Sequence, residues 1–335
     1  MIYIHVPFCR SFCTYCDFYS EIACAGKDGA AIGTYLAGLR EEVSRRKEEI
    51  LLTGSTNTLY IGGGTPSVLP LPVIRDIVSL LGPLPASYSE FTVEVNPDDI
   101  VQKGEEYVRG LLELGVNRIS MGIQSLSDDI LRWMNRRHDA QCARDAFSLL
   151  RRCGAGNISV DVIFGLSQLS DRTLAGTLRE ITEMRPNHIS AYQLSIEEGS
   201  ALAQMVQSGS YTPASDEQCR AQYDLVCSLL SQAGYEHYEI SNWALPGFRA
   251  VHNSAYWKRV PYVGLGPGAH SLTGHRRSWN SEVLEGWTSD GEDLTGEQER
   301  TETVMLGLRT AEGIEGKRIE EKDWFIADTI IADYL

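Results

Sequence analysis

The sequence has no uninterrupted apolar run of the roughly 18 to 20 residues that a bilayer span requires. Its opening stretch, Met1 to Cys9, has neither a basic segment nor a long apolar core, so nothing there reads as a secretory signal. A cytoplasmic protein without a membrane span is the expectation. Positive charge is scarce: 30 Lys and Arg face 45 Asp and Glu, a net charge of −15. An excess of carboxylates repels phosphate backbones, so nucleic acid is excluded as a partner by charge, though a local basic pocket for a small anion is compatible. There is no internal repeat and no low-complexity tract.

What is present is ordinary for a globular chain: 335 residues, 43% apolar and 22% charged, enough for one large domain and a smaller one. Short runs rich in β-branched and aromatic residues predict strands at Ile2–Val6, Thr58–Ile61, Phe91–Val95, Arg118–Met121, Ser159–Phe164 and His188–Leu194. Amphipathic stretches between them predict helices at Tyr35–Ile50, Val73–Leu81, Tyr107–Leu114, Ala140–Arg152 and Leu174–Met184, with Gln218–Ala233 following. Six strand–helix units in series predict an α/β fold with a parallel sheet, open or curled into a barrel. The pattern changes near residue 240. Aromatics, glycines and prolines crowd into Trp243–Trp279, an acidic loop is expected at Ser289–Glu299, and one more helix at Arg300–Leu308. The expected domains are therefore 1–240 and 241–335.

Eight cysteines in a reducing compartment are expected to be thiols or ligands. Cys24, Cys142, Cys153, Cys219 and Cys227 are scattered and read as small core hydrophobes or surface thiols. Cys9, Cys13 and Cys16 are clustered directly after the first predicted strand. Three thiolates so close can surround one metal centre, and three protein ligands leave one iron of a [4Fe-4S] cluster free for a small molecule. The alternative is structural zinc, which usually takes two spaced ligand pairs; no second pair is visible, although a distant fourth ligand would complete such a site.

Gly62-Gly63-Gly64-Thr65-Pro66 follows the second strand, where glycine allows close backbone approach to a ligand. No Lys-Ser/Thr follows it, so it is not a phosphate-binding P-loop. Polar residues recur at or near the ends of later strands: Glu94, Gln124, Asp161 and Ser195, with Arg136 in Asn-Arg-Arg-His. Strand C-termini are where parallel α/β folds place ligands.

Cys-x-x-x-Cys-x-x-Cys opening the first βα loop resembles the signature of the radical S-adenosylmethionine (SAM) family. That resemblance implies a partial (β/α)6 TIM-like barrel with a small C-terminal domain. It also implies a [4Fe-4S] cluster on Cys9, Cys13 and Cys16, and SAM chelated to the open iron as the source of a 5′-deoxyadenosyl radical. Nearly the whole chain is similar to the branch that holds oxygen-independent coproporphyrinogen III oxidases and HemW-type haem chaperones. By that similarity Tyr3, Tyr15, Gly63, Gly64, Thr65, Glu94, Gln124, Arg136, Asp161 and, more loosely, Ser195 are the SAM contacts.

Two features separate the sister groups. The oxidase carries a fourth cysteine where this chain has Phe18, and an N-terminal arm before the first strand, where this chain starts at once. His252-Asn253-Ser254-Ala255-Tyr256-Trp257 resembles a His-Asn-x-x-Tyr-Trp motif of the chaperone group. A neutral imidazole can ligate haem iron, and Tyr256 and Trp257 offer flat faces to a porphyrin, while His252 could equally organise a pocket or an aromatic core. The implied function is a haem chaperone that binds cluster, SAM and haem and delivers haem to respiratory haem proteins, with a homodimer expected of the family. The alternatives are the oxidase and a haem-modifying radical SAM enzyme. Against the family pattern, Gly165-Leu166-Ser167 replaces Gly-Leu-Pro, which should loosen a loop, and a helical segment is expected but missing near Gly316 and Lys317.

Overall fold

The computed structural model describes residues 1–22, 28–53, 57–82 and 88–334; Cys24 lies outside them. Six parallel strands form the centre of the sheet: β1 (Ile2–Val6), β2 (Thr58–Gly63), β3 (Glu90–Val95), β4 (Arg118–Gln124), β5 (Ile158–Phe164) and β6 (His188–Gln193). The principal helices between and after them are α1 (Asp28–Arg45), α2 (Leu71–Leu80), α3 (Pro97–Glu113), α4 (Ala140–Arg152), α5 (Asp171–Met184) and α6 (Asp216–Gln232). Three short strands, β7 (Glu236–Glu239), β8 (Asn242–Ala244) and β9 (Val263–Leu265), extend the edges, giving nine strands in the order β9-β1-β2-β3-β4-β5-β6-β8-β7. β9 runs parallel to β1, whereas β8 runs antiparallel to both β6 and β7. β9, from beyond residue 240, forms one edge of the sheet, and β8, also from beyond it, lies next to β7 at the other. The α/β class and the parallel sheet agree with the sequence reading.

Local chemistry explains the helices. In α4, Asp139 caps the N-terminus by accepting from the Cys142 N–H at 2.8 Å. Ala143, Ala146, Phe147 and Leu150, spaced for one helical face, are buried. Ser170 and Ser215 cap α5 and α6 in the same way. Three differences from the predicted elements have physical causes. Helix α3 begins ten residues before the predicted Tyr107, because Pro97 at its first position and the kink at Gly104 hide its early turns from a periodicity reading. The predicted Tyr35–Ile50 helix breaks at Arg46, followed by a short helix at Lys47–Leu52. Arg46 is buried, with its guanidinium donating to Glu42, Glu49, the Gly264 carbonyl and the Ser271 hydroxyl. The acidic stretch expected as a loop instead begins with strand Ser289–Asp293, paired with Arg276–Asn280. Arg276 faces Asp293 and Arg277 faces Glu292 across that ladder, with ion pairs at 3.3 and 3.7 Å.

The segment beyond 240 is tied to the sheet through Glu42 of α1. This buried carboxylate accepts from Trp287 Nε1 at 2.9 Å, Gly266 N at 2.8 Å and Asn280 Nδ2 at 2.8 Å, and pairs with Arg46 at 3.3 Å. Around Gly316, Ile314 and Lys317 close a turn through two backbone hydrogen bonds of 2.8 Å. Ser167 does not leave its loop loose: its N–H, which a proline would lack, donates to the Tyr211 hydroxyl at 3.1 Å. Among the described residues no helix is long and apolar enough to cross a membrane.

Candidate functional site

The C-terminal ends of β1 to β6 open into one cavity of about 670 Å³, within the range of small-molecule and cofactor pockets. Its wall includes Cys9, Cys13, Tyr15 and Cys16 from the loop after β1, and Gly63, Gly64 and Thr65 after β2. Glu94 enters from β3 and Asn96 from the turn between β3 and α3, Gln124 from β4, Arg136 from the following loop, Asp161 from β5 and Ser195 after β6. Each predicted cluster ligand and each predicted SAM contact except Tyr3 therefore reaches the same space.

The cysteine loop is held by the glycine loop. The Gly64 N–H donates to the Val6 carbonyl at 2.9 Å and the Thr65 N–H to the Phe8 carbonyl at 2.7 Å. Gly63 lies at φ +108, and a Cβ there would fall 2.7 Å from the His5 ring; at Gly64 it would fall 2.8 Å from the Phe8 carbonyl oxygen. Glycine is required here by packing of the two loops against each other. Thr65 Oγ1 lies 3.4 Å from the Cys9 sulfur, and Arg136 Nη1 donates to the Cys13 sulfur at 3.4 Å. Burial pushes the Cys16 thiol up to about 11 and raises that of Cys9, so cationic ligands are needed to hold these sulfurs as thiolates.

Two carboxyls stand in the opposite wall. Glu94 accepts from the Tyr60 hydroxyl at 2.7 Å and the Gly63 N–H at 3.1 Å. Burial drives its pKa up to about 7, and burial raises that of Asp161 to about 6. Arg136 keeps its charge: burial opposes it, but Tyr15, Cys13 and Asp98 outweigh that cost. Its Nη2 donates to Asn96 Oδ1 at 2.7 Å and to the Gly122 carbonyl at 2.8 Å. Gln124 sits at φ 66, beside a register shift between β4 and β5, a backbone strain often found at ligand sites. Gln124 Oε1 and Arg136 Nε are buried without hydrogen-bond partners among the described residues, polar atoms suited to a ligand in the cavity.

Tyr3 lies beneath the wall, with its hydroxyl 3.1 Å from His5 Nδ1 and its ring 6.1 Å from that of Tyr60. His252, Tyr256 and Trp257 are not brought to the cavity. His252 is fully buried, and both ring nitrogens are engaged: Nδ1 with the Thr58 hydroxyl at 2.8 Å and Nε2 with the Tyr256 hydroxyl at 3.0 Å. Burial lowers its pKa to about 3, so the ring is neutral. Its ring packs 5.1 Å from that of Tyr60, the donor to Glu94. Trp257 faces a separate cavity of about 310 Å³ with Arg249 and Lys258. Sequence reasoning missed Asn96, which links Arg136 to Thr65; its signal was its place two residues after Glu94, on the same face of the extended chain. It also missed Phe12 and Tyr192, which are 52% and 40% exposed and, with Phe18 at 66%, form an apolar rim.

Three thiols lining a cavity at the C-terminal ends of a parallel α/β sheet match the arrangement that the cysteine signature implies. The Radical SAM superfamily profile matches residues 3–181, more than half of the chain, which therefore belongs to that superfamily. The chain is 32% identical to the "Heme chaperone HemW" of Bacillus subtilis (strain 168), over 96% of this chain and 86% of that one. It is 32% identical to "Heme chaperone HemW" of Mycobacterium tuberculosis (strain H37Rv), over 100% and 87%. Within the superfamily it belongs to this HemW family. Among solved structures, coproporphyrinogen III oxidase (HemN) from Escherichia coli, a radical SAM enzyme, superposes with a TM-score of 0.79 over 99% of this chain and 80% of that one, at 22% identity. That last similarity concerns the fold.

Proposed function

We propose that the chain is a radical SAM haem chaperone: it carries a [4Fe-4S] cluster on Cys9, Cys13 and Cys16, binds SAM beside it, and binds haem for delivery to respiratory haem proteins. The observation that carries this reading is one cavity shared by three thiols, buried polar atoms of Gln124 and Arg136 that are unpartnered among the described residues, and an exposed apolar rim. When bound, the cluster supplies one-electron reducing power and an open iron. Around it, Arg136 places positive charge against Cys13, and Glu94 and Asp161 offer carboxylates to a cationic amino group or to ribose hydroxyls. Tyr15 closes the wall beside the thiols.

For haem, the exposed side chains of Phe12, Phe18 and Tyr192 along the cavity supply apolar contacts. His252 acts from beneath as a positioning residue: it packs on Tyr60, which holds Glu94. Tyr256 fixes the His252 ring, and Trp257 lines the separate cavity. Phe18 in place of a fourth cysteine favours the chaperone over the oxidase. A homodimer and a cytoplasmic location fit this reading.

The experiment is anaerobic reconstitution of the cluster, followed by SAM, reductant and either coproporphyrinogen III or haem. Stable haem binding without a porphyrin product supports the chaperone. Protoporphyrinogen formation would establish the oxidase, and a methylated or opened haem a haem-modifying enzyme. Phe18→Ala should weaken haem binding. His252→Ala should weaken SAM binding while leaving the spectrum of bound haem unchanged; a changed axial-ligand spectrum would make His252 a ligand.

A further inference from the structure

Away from the cavity, three elements bring a sulfur, an imidazole and a carboxylate together. Cys227 comes from α6, His237 from β7, and Glu321 from the short 3-10 helix Glu321–Ile326. One ligand atom of each lies within 4.8 Å of the others. We propose that this cluster binds a thiophilic divalent cation, with zinc as the expected ion and water as the fourth ligand.

The imidazole is what points to a cation. Its Nε2 faces the Ile240 carbonyl at 3.2 Å and its Nδ1 faces a Glu321 carboxylate oxygen at 2.8 Å. A neutral imidazole has one N–H. Given to the carbonyl, it leaves the Nδ1 lone pair aimed at a carboxylate. Given to the carboxylate instead, it leaves the Nε2 lone pair against the Ile240 carbonyl, so both oxygens are satisfied only by a second ring proton or by a cation at Nδ1 with the proton kept on Nε2. A ring N–H fixed on a backbone carbonyl is also the usual way a metal-bound histidine is oriented. The ring is clamped before any ion arrives: Trp243 stacks on it at 4.0 Å with a 12° interplanar angle, and Trp324 meets it edge-on at 4.3 Å.

The remaining donors complete the chemistry. The Tyr223 hydroxyl donates to the Ile240 carbonyl at 3.4 Å, the same carbonyl that faces His237 Nε2. A sulfur–nitrogen–oxygen set suits zinc and excludes magnesium and calcium, which take oxygen ligands. Zinc bonds of about 2.0–2.3 Å put tetrahedral donors roughly 3–4 Å apart. Only a small adjustment is needed, and the Glu321 side chain, 54% exposed, is free to make it, while the His237 side chain is 2% exposed. The open Glu321 side gives an entry path and room for the water. Because Cys227 lies on a helix that packs on the sheet and Glu321 lies near the C-terminal end, a bound ion would fasten the last segment to the core.

The test uses cluster-loaded protein, so that Cys9, Cys13 and Cys16 are occupied, stripped of loose metal and titrated with Zn²⁺ against a chromophoric chelator under anaerobic conditions. One zinc per chain beyond the cluster iron is expected. Glu321→Gln, at an exposed position that the fold tolerates, should weaken binding about tenfold or more, and Cys227→Ser further. With Co²⁺ as the probe, a thiolate-to-metal charge-transfer band should appear and vanish in Cys227→Ser. Absence of zinc binding overturns the proposal and leaves a hydrogen bond between His237 and Glu321. Binding of unchanged strength in both variants overturns it as well, since the ion would then lie elsewhere.

Discussion

Replacing Glu94 with glutamine separates charge from hydrogen bonding at the cavity wall. Burial, assisted by the nearby Asp161 charge, raises the Glu94 pKa from 4.5 to about 7, against the hydrogen bonds from Tyr60 and Gly63. At about 1.4 kcal/mol per pH unit, that displacement is worth roughly 3 kcal/mol, an upper value because the cavity admits water. The sign follows from linkage. The folded pKa lies above the unfolded one, so the protonated acid is favoured in the fold. Below about pH 4.5 both states are protonated and there is no penalty. Between 4.5 and 7 the penalty grows, and above 7 it is complete. Glutamine carries no such penalty. Any loss of a hydrogen bond to Tyr60 or Gly63 is independent of pH and appears as a constant offset. Thermal unfolding of ligand-free wild type and Glu94→Gln, measured at pH 5 and pH 8, should therefore show the variant gaining on wild type by up to roughly 3 kcal/mol at the higher pH. The same variant should bind SAM more weakly. A stability difference that does not change with pH would refute the buried-charge reasoning.

Removing Glu42 should cost about 3–5 kcal/mol, because Glu42→Ala leaves Arg46 buried without that partner, orphans Trp287 Nε1 and Gly266 N, and leaves Asn280 Nδ2 only its bond to the Gly266 carbonyl; a large fall in the unfolding midpoint checks this. Gly63→Ala should lose cluster retention as well as stability, since its Cβ would meet the His5 ring at 2.7 Å in a left-handed backbone; iron retained after desalting is the measure. Asp139→Ala removes the α4 cap and should cost about 1 kcal/mol without altering ligand binding.

The fold was legible in the sequence where local pattern decides it. All six central strands lie where β-branched runs are bounded by turns, and α4 matches its predicted limits because Asp139 marks its start and one face is apolar. What could not be read depends on distant partners. The break at Arg46 follows from contacts with Gly264 and Ser271, more than 200 residues away. The edge strands β7, β8 and β9 are three or four residues long, and only pairing across the chain defines them. At the site, strand-end position identified Glu94, Gln124 and Asp161, and the Cys-x-x-x-Cys-x-x-Cys spacing identified the thiols. Imidazole beside Tyr and Trp has the same composition in a haem pocket and in an aromatic core, and the hydrogen bonds of His252 to Thr58 and Tyr256 are contacts that the sequence does not show.

Cluster ligation is tested most directly by iron and sulfide analysis of anaerobically reconstituted protein. Wild type should hold about four irons and four sulfides per chain, and the variant with Cys9, Cys13 and Cys16 all changed to serine should hold none. Equal iron and sulfide in both proteins would contradict the assignment of these three thiols, and with it the proposed site.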